Sequence, residues 1–251
     1  MTDLTDRVVI VTGAAQGIGA TYAEALAKAG AQVALCDRAD CGAVLRRIET
    51  AGGQGMATTF DITDAPALAS FIAAVLARFG RIDGLVNNAA IFATLTPGRF
   101  EDIDSDTFDR VMQVNVRGTF DCIKAVMPTM RAQGYGKIVN IASGTVFKGT
   151  PGLAHYTASK GAVIALTRVL AREAGGDGVR INCLAPGFTL SEGLLGASST
   201  DVINAMTLAS RCLQRDQIPD DLTGTLAFLL SADSDFMTGQ TLVVDGGSVM
   251  H

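Results

Sequence analysis

The chain contains few of the residues that build metal sites or disulfide frameworks. Its 251 residues include only two histidines, no tryptophan and five cysteines, and no two cysteines form a Cys-x-x-Cys pair. Zinc sites and disulfide scaffolds both need closely spaced cysteines, or cysteine together with histidine. We therefore expect no metal ion, and we expect reduced cysteines that pack as small hydrophobic side chains.

Clusters of positive charge are also missing. Lys and Arg number 20 against 25 Asp and Glu, which gives a formal net charge of −5. Binding to a phosphate backbone needs clustered Lys and Arg, so this balance disfavours a nucleic-acid partner. No uncharged apolar stretch is long enough to span a bilayer, and residues 1–6 contain no apolar run typical of a secretory signal. The expectation is a cytoplasmic protein with small-molecule partners and no membrane partner.

What the chain does contain is a large apolar fraction arranged in alternating patterns. Hydrophobic residues make up 48% of the sequence and charged residues 18%, which is enough for a substantial core. Short β-branched runs predict strands buried on both faces at residues 8–11, 33–36, 82–86, 137–141, 179–184 and 242–244. Longer alanine-rich segments predict helices between them at residues 20–29, 65–79, 107–130, 156–172 and 221–230.

The alternation of strand and helix predicts an α/β fold. We expect a Rossmann-type, doubly wound parallel sheet of about seven strands with helices on both faces. No linker, repeat or low-complexity tract interrupts the pattern, so residues 1–251 are expected to form a single domain. The segment 188–217 is too long for an ordinary connection. We expect it to be a substrate lid, and the alternative is a plain surface excursion.

A glycine-rich turn connects the first predicted strand to the first predicted helix. It reads Thr-Gly-Ala-Ala-Gln-Gly-Ile-Gly over residues 12–19. Glycines let the backbone turn tightly and approach a pyrophosphate, whose charge is met by unpaired amides at the helix amino end. The residues expected to bind the cofactor at this turn are Gly13, Gln16, Gly17, Ile18 and Gly19.

Asp37 ends the second predicted strand and bears on the choice of cofactor. Its carboxylate can accept hydrogen bonds from both hydroxyls of the adenosine ribose. It would repel a 2′-phosphate, because at ~4 Å and an effective dielectric of about 20 each unit of like charge costs on the order of 4 kcal/mol before screening. Arg38 is a complication, since an arginine beside the ribose could recruit NADP. We expect NAD, because Asp37 would first have to swing away.

Tyr156 and Lys160 are four residues apart and therefore lie on one face of a helix. A tyrosine with an ordinary pKa of ~10 is a poor base at neutral pH, but a nearby ammonium group and a positive nicotinamide ring favour its phenolate. Tyr156 can then accept the proton of an alcohol as hydride leaves for the cofactor. In the reverse direction it donates that proton.

Taken in order, these motifs resemble the short-chain dehydrogenase/reductase family in its compact, single-domain branch. The markers span essentially the whole chain and are residues 12–19, Asp61-Ile62, Asn87-Asn88-Ala89-Ala90, Asn115, Ser143, Tyr156-Thr157-Ala158-Ser159-Lys160 and Pro186-Gly187. The resemblance implies an NAD(H)-dependent oxidoreductase that interconverts an alcohol and its carbonyl. The alternative is a catalytically inactive NAD-binding sensor or scaffold protein.

The resemblance also implies a role for each catalytic residue. Ser143 would hydrogen-bond the substrate oxygen, and Tyr156 would be the acid and base. Lys160 would bind the nicotinamide ribose in addition to assisting Tyr156. Asn115 would hold a water molecule that links Lys160 to solvent.

The remaining cofactor contacts are implied in the same way. Asp61 and Ile62 would meet the adenine, Asn88 the adenosine-side ribose, and the backbone near Thr189 the nicotinamide carboxamide. Two positions depart from the family pattern: Ala90 replaces a common glycine, and Thr189 replaces a common aliphatic residue. Both changes are small and concern local contacts.

The substrate and the assembly are the least constrained by sequence. The residues expected near the nicotinamide are largely apolar, with no Arg or Lys clamp for an anion: Phe92, Thr94, Leu95, Thr145, Val146, Phe147, Leu153, Leu194, Leu195 and Met206. Residues 143–160 and 221–251 look similar to NAD-dependent 1-phenylethanol dehydrogenases and pyridoxal 4-dehydrogenases, which implies a secondary, cyclic or aromatic alcohol. The family resemblance implies a homotetramer with His251 near a subunit boundary, and a monomer is the alternative.

Overall fold

The computed structural model of the chain describes residues 2–192 and 207–250. Within these ranges one sheet is formed by β1 Val8–Thr12, β2 Gln32–Asp37, β3 Gln54–Thr59, β4 Gly84–Asn87, β5 Gly136–Ile141, β6 Val179–Pro186 and β7 Thr241–Val244. The strand order is β3-β2-β1-β4-β5-β6-β7, and every neighbouring pair is parallel. The predicted seven-stranded parallel sheet is confirmed.

The helices of the described ranges alternate with these strands. They are α1 Gly17–Lys28, α2 Gly42–Thr50, α3 Ala65–Phe79, α4 Ser105–Met112, α5 Thr119–Gln133, α6 Thr145–Lys148, α7 Ala154–Ala174 and α8 Asp220–Leu230. None of them is long and apolar enough to cross a membrane.

The sheet divides the apolar core into two layers, and β1 shows how. Successive side chains of a strand point to opposite faces. Val9 and Val11 join a cluster with buried residues of α1, α2 and α8. Val8 and Ile10 join a second cluster with buried residues of α3, α5 and α7. Helices therefore cover both faces, as the doubly wound fold requires.

The predicted helix over residues 107–130 is wrong as a single α-helix. The structure breaks it into α4, a π-helical turn at Gln113–Gly118, and α5. A π-helical turn inserts one extra residue per turn and is frequent at functional sites. A Cβ at Gly118 would lie 2.7 Å from Ile62 Cδ1, so this turn packs closely on the segment that follows β3.

Two further differences concern the carboxyl-terminal part of the chain. β7 forms as predicted but is half-buried along its length, because it is an edge strand rather than one covered on both faces. The predicted lid at 188–217 lies partly outside the described residues. Its two described ends meet where Thr189 pairs with Gln217 and the Leu190 amide donates to the Gln217 carbonyl at 2.8 Å.

Candidate active site and dinucleotide site

The glycine-rich turn lies where the strand order reverses, between β1 and β4. In a doubly wound sheet a crevice opens at this point beyond the carboxyl ends of the strands. Gly13 has φ +66°, and a Cβ there would lie 2.7 Å from Ala89 Cα. A Cβ at Gly19 would lie 2.0 Å from the Gly13 carbonyl oxygen. The close approach of these backbones therefore requires glycine at both positions.

The amino end of α1 is open to a ligand. Its cap residue, Gln16, has extended backbone and makes no side-chain capping bond, and the first turn of the helix contains no acidic residue. The leading amides of a helix have no partner within it, and they carry a partial positive charge. A Cβ at Gly17 would lie 3.4 Å from Ser191 Oγ, so Ser191 faces the turn. These features fit the pyrophosphate of a dinucleotide.

Asn88 holds the glycine-rich turn in place through hydrogen bonds to Thr12 and Gly13. Its Nδ2 donates to the carbonyl oxygens of Thr12 at 3.1 Å and Gly13 at 2.9 Å. Its backbone amide donates to Thr12 Oγ1 at 3.1 Å. The predicted contact of Asn88 with the ribose stays a prediction, and what its amide group does here is to hold the glycine-rich turn to the end of β4.

Asp37 is fixed beside the same turn. Its Oδ2 accepts a hydrogen bond from the Ala15 amide at 3.0 Å, and its Oδ1 accepts one from the Ala39 amide at 3.1 Å. Each carboxylate oxygen has a second lone pair free for a further donor. The carboxylate is thus held against the turn in a form that can accept ribose hydroxyls.

Asp61 and Ile62 follow β3 and are placed differently from one another. Ile62 is buried in the core, where it packs against the π-helical turn. Asp61 accepts hydrogen bonds from Thr63, at 2.9 Å from its amide and 2.7 Å from its hydroxyl, and from Arg110 at 2.9 Å. Burial acts to raise the pKa of Asp61, but these hydrogen bonds bring it below its ordinary value.

The predicted catalytic residues converge at the carboxyl ends of β5 and β6. Tyr156 and Lys160 lie one turn apart on α7, and the Lys160 Nζ is 5.8 Å from the centre of the Tyr156 ring. Lys160 Nζ also donates to the Ile141 carbonyl, at the end of β5, at 2.6 Å. Ser143 lies two residues beyond Ile141, and hydrogen bonding by its side chain acts to lower the pKa of Tyr156. The structure thus brings Ser143, Tyr156 and Lys160 close to one another, and their catalytic roles stay predictions.

Burial perturbs the acid–base properties of this cluster. Tyr156 and Lys160 are both buried. Burial raises the pKa of Tyr156 to about 12, and the hydrogen bond with Ser143 acts in the opposite direction. Burial lowers the pKa of Lys160 to about 8. Both shifts favour the uncharged forms, because a low-dielectric surrounding disfavours charge.

Ser143 is itself positioned by its neighbours. Its Oγ accepts from the Thr145 hydroxyl at 3.0 Å and from the Thr145 amide at 3.3 Å. The adjacent Gly144 amide donates to the Pro186 carbonyl at 2.8 Å, which ties this segment to the end of β6. The hydroxyl oxygen of Ser143 is therefore held in place by two donors from Thr145.

Asn115 lies in the π-helical turn and is completely buried. Its Oδ1 accepts from the Ile91 amide at 2.8 Å, and its Nδ2 donates to Ser159 Oγ at 3.0 Å. Ser159 Oγ in turn donates to the Tyr156 carbonyl at 2.7 Å. Asn115 thus joins the segment after β4 to α7. These contacts engage the side chain of Asn115 with protein groups. Its predicted role in holding a water molecule stays a prediction.

Sequence reasoning missed the positioning roles of Ser159 and Arg211. The only indication of the role of Ser159 in the sequence is its position within the Tyr-x-x-x-Lys motif. Arg211 is buried and donates to the carbonyl oxygens of Phe188, Asp245 and Arg215, which joins the two described ends of the predicted lid to the end of β7. Nothing in the local pattern around residue 211 indicates these long-range contacts.

The predicted substrate-side residues are placed unevenly. Phe92 packs on Tyr156, with ring centroids 4.7 Å apart, and Leu153 is buried at the start of α7. Val146 and Phe147 are partly buried and pack against a small apolar cluster formed mainly by residues of α7 and β6. Leu194, Leu195, Met206 and His251 lie outside the described residues.

Comparisons with known proteins cover nearly the whole chain. A family model described as enoyl-(acyl carrier protein) reductase matches residues 13–249. The short-chain reductase protein NovJ of Streptomyces niveus is 38% identical over 254 aligned residues, which cover 96% of this chain and 94% of that protein. For 2-(S)-hydroxypropyl-CoM dehydrogenase 3 of Xanthobacter autotrophicus the identity is 37%, with 97% of each chain covered.

Solved structures give the same picture. A crystal structure from Beutenbergia cavernae, provisionally named an NAD(P)-dependent gluconate 5-dehydrogenase and holding NADP at low occupancy, is 35% identical to this chain. It superposes with a TM-score of 0.91, and the match covers 98% of each chain. Levodione reductase also superposes with a TM-score of 0.91 at 32% identity, covering 98% of this chain and 99% of that one.

Proposed function

This chain belongs to the short-chain dehydrogenase/reductase family of oxidoreductases, and on that premise we propose that it interconverts an alcohol and its carbonyl with NAD(H). The single observation that carries the proposal is the convergence of Ser143, Tyr156 and Lys160. A tyrosine whose pKa is influenced by a serine hydroxyl, with a lysine amine 5.8 Å from the centre of its ring, supplies both a donor and a proton carrier for one substrate oxygen.

The chemistry follows from the placement of these groups. A nicotinamide cofactor held at this site would supply the hydride chemistry at the carbon that carries the substrate oxygen. Ser143 donates a hydrogen bond to the substrate oxygen and holds it beside Tyr156. Tyr156 Oη takes the hydroxyl proton during oxidation and donates a proton during reduction. Lys160 binds the nicotinamide ribose, and its ammonium form stabilises the phenolate of Tyr156.

Asp37 supports NAD over NADP. Its carboxylate is hydrogen-bonded to the Ala15 amide in the glycine-rich turn, where the adenosine ribose of the cofactor would lie. A 2′-phosphate there would meet a like charge. No Lys or Arg occurs at residues 12–19 to offset that repulsion. We therefore assign NAD as the preferred cofactor.

The lining of the site supports an apolar substrate. Phe92 packs directly on Tyr156, and Val146, Phe147 and Leu153 lie between Ser143 and Tyr156 in the sequence. An aromatic wall beside the proton carrier suits a secondary, cyclic or aromatic alcohol better than a charged one. The names of the relatives indicate several different substrates, so the choice of substrate class rests on these residues. We further propose that the chain folds as a single domain. Four chains would assemble into a homotetramer in the cytoplasm.

The proposal is tested by assaying the purified protein with a panel of secondary alcohols and their ketones. Absorbance in the reduced-nicotinamide band reports turnover with NAD and, separately, with NADP. We expect turnover with at least one cyclic or aromatic secondary alcohol and a preference for NAD. Binding of NADH without turnover of any alcohol or carbonyl would instead support an inactive sensor or scaffold. Equal use of NADP would contradict the argument from Asp37.

A further inference from the structure

Two arginines share one carboxylate oxygen at the adenosine end of the site. Arg110 Nη2 donates to Asp61 Oδ2 at 2.9 Å, and Arg38 Nε forms an ion pair with the same oxygen at 3.5 Å. The other oxygen of Asp61 accepts from the amide and the hydroxyl of Thr63. The Asp61 carboxylate is thus anchored independently of Arg38, whose own side chain is 69% exposed.

The position of Arg38 makes this ion pair relevant to the cofactor. Arg38 directly follows Asp37, whose carboxylate is bonded to the glycine-rich turn through Ala15. Arg38 is therefore next to the residue proposed to bind the ribose. A guanidinium is the side-chain group best suited to bind a 2′-phosphate there, because its planar fork of donors matches phosphate oxygens. In the structure that guanidinium is engaged by Asp61 instead.

We propose that Asp61 is a cofactor-specificity residue, which holds Arg38 in an ion pair and so withholds its guanidinium from a 2′-phosphate. The inference rests on the proposed use of a dinucleotide and deepens the proposed preference for NAD. Asp37 repels the extra phosphate, and Asp61 restrains the neighbouring group that would otherwise attract it. Arg110 competes with Arg38 for the same oxygen of Asp61, and its removal leaves more of that carboxylate to Arg38.

Affinity for NADH and NADPH, measured by titrating the fluorescence of the reduced nicotinamide, tests the proposal without an assay of turnover. Asp61→Asn keeps the shape of the side chain and removes its charge. We expect this variant to shift the ratio of the two dissociation constants toward NADPH by about fivefold, the upper range for an exposed ion pair. Arg110→Gln is the matched control, and it should give no shift toward NADPH.

The role of Arg38 is separated from simple loss of negative charge by a double variant. Adding Arg38→Ala to Asp61→Asn should abolish the gain in NADPH affinity. A gain that persists without Arg38, or no gain in the single variant, would overturn the proposal.

Arg38→Ala in the otherwise unchanged chain gives a second test that does not depend on the folding of the Asp61 variant. A restrained Arg38 contributes nothing to NADPH binding, so the ratio should stay within about twofold. A fivefold loss of NADPH affinity would show that Arg38 is free to bind phosphate. If the unsubstituted chain binds NADPH as tightly as NADH, the proposed preference for NAD is contradicted. The role of Asp61 is tested separately, by how the ratio of the two dissociation constants changes from one variant to the next.

Discussion

The ring of Phe92 packs against the ring of Tyr156, with centroids 4.7 Å apart and planes inclined at 41°. Phe92 follows β4, whereas Tyr156 lies on α7, so the contact joins two elements at the mouth of the site. A tilted contact of this kind is a favourable arrangement of aromatic rings. It places an apolar wall beside the hydroxyl proposed to carry the proton.

Replacing Phe92 with alanine should weaken substrate binding. The lost apolar contact corresponds to an increase of about tenfold in KM for an aromatic or cyclic alcohol, with a smaller change in kcat. Steady-state kinetics with a saturating cofactor measure both quantities. Phe92→Leu is the control and should recover most of the loss. A fall in kcat with an unchanged KM would assign Phe92 to the orientation of Tyr156 instead.

The pH dependence of carbonyl reduction should follow Lys160. Burial lowers the pKa of Lys160 to about 8, so its ammonium form is present below that pH and is lost above it. Tyr156, with a pKa raised to about 12, remains protonated throughout this range and can still donate. We therefore expect kcat/KM for reduction to fall as pH rises above about 8, as measured by pH–rate profiles. A constant value up to pH ~9.5 would contradict a role for the ammonium group.

Two glycine-to-alanine substitutions should have different effects, one on NADH binding and the other on the stability of the fold. A Cβ at Gly19 would lie 2.0 Å from the Gly13 carbonyl oxygen and 2.5 Å from Asn88 Nδ2, so Gly19→Ala should distort the turn and weaken NADH binding. Gly224 is in α8 with open space around its Cβ position, so Gly224→Ala should stabilise the fold by about 0.5–1 kcal/mol. Denaturant unfolding and NADH titration measure the two effects. Normal NADH affinity in Gly19→Ala would argue against the turn as the pyrophosphate site.

Most of the fold was predictable because apolar patterns mark buried strands and helices. The predicted strands form with ends that differ by no more than two residues. β3 received no predicted bounds because it is an edge strand of Gln, Gly, Met, Ala and Thr residues, without a β-branched apolar run. The π-helical turn at Gln113–Gly118 escaped prediction because one inserted residue barely alters the helical spacing of apolar side chains.

The placement of Tyr156 and Lys160 on one helix face was predictable, but the contacts of the candidate site residues were not. Tyr156 and Lys160 were identified by spacing along one helix, a local property. The bonds of Asn115 to Ile91 and Ser159 join segments 24 and 44 residues away, and periodicity carries no information about such contacts. The ion pair of Arg38 with Asp61 depends in the same way on the pairing of β2 with β3.

The assembly should be a tetramer. Large apolar side chains are exposed on or beside α4, α5 and α7, namely Phe100, Phe108, Phe120 and Val169. Exposed apolar surface gathered on neighbouring helices is typical of subunit contacts. Light scattering at micromolar concentration should therefore give about four times the 26.0 kDa mass of the chain. A mass near that of one chain would rule the tetramer out.

The proton-carrying role of Tyr156 is tested most directly by Tyr156→Phe, which removes one hydroxyl and leaves the packing of the ring with Phe92 in place. NADH affinity, measured by titration, and the unfolding midpoint report whether the site is intact. We expect turnover to fall by roughly 10²–10⁴-fold, the usual contribution of a general acid or base, while the dissociation constant of NADH stays within about twofold. Turnover within tenfold of the unchanged enzyme would contradict the account.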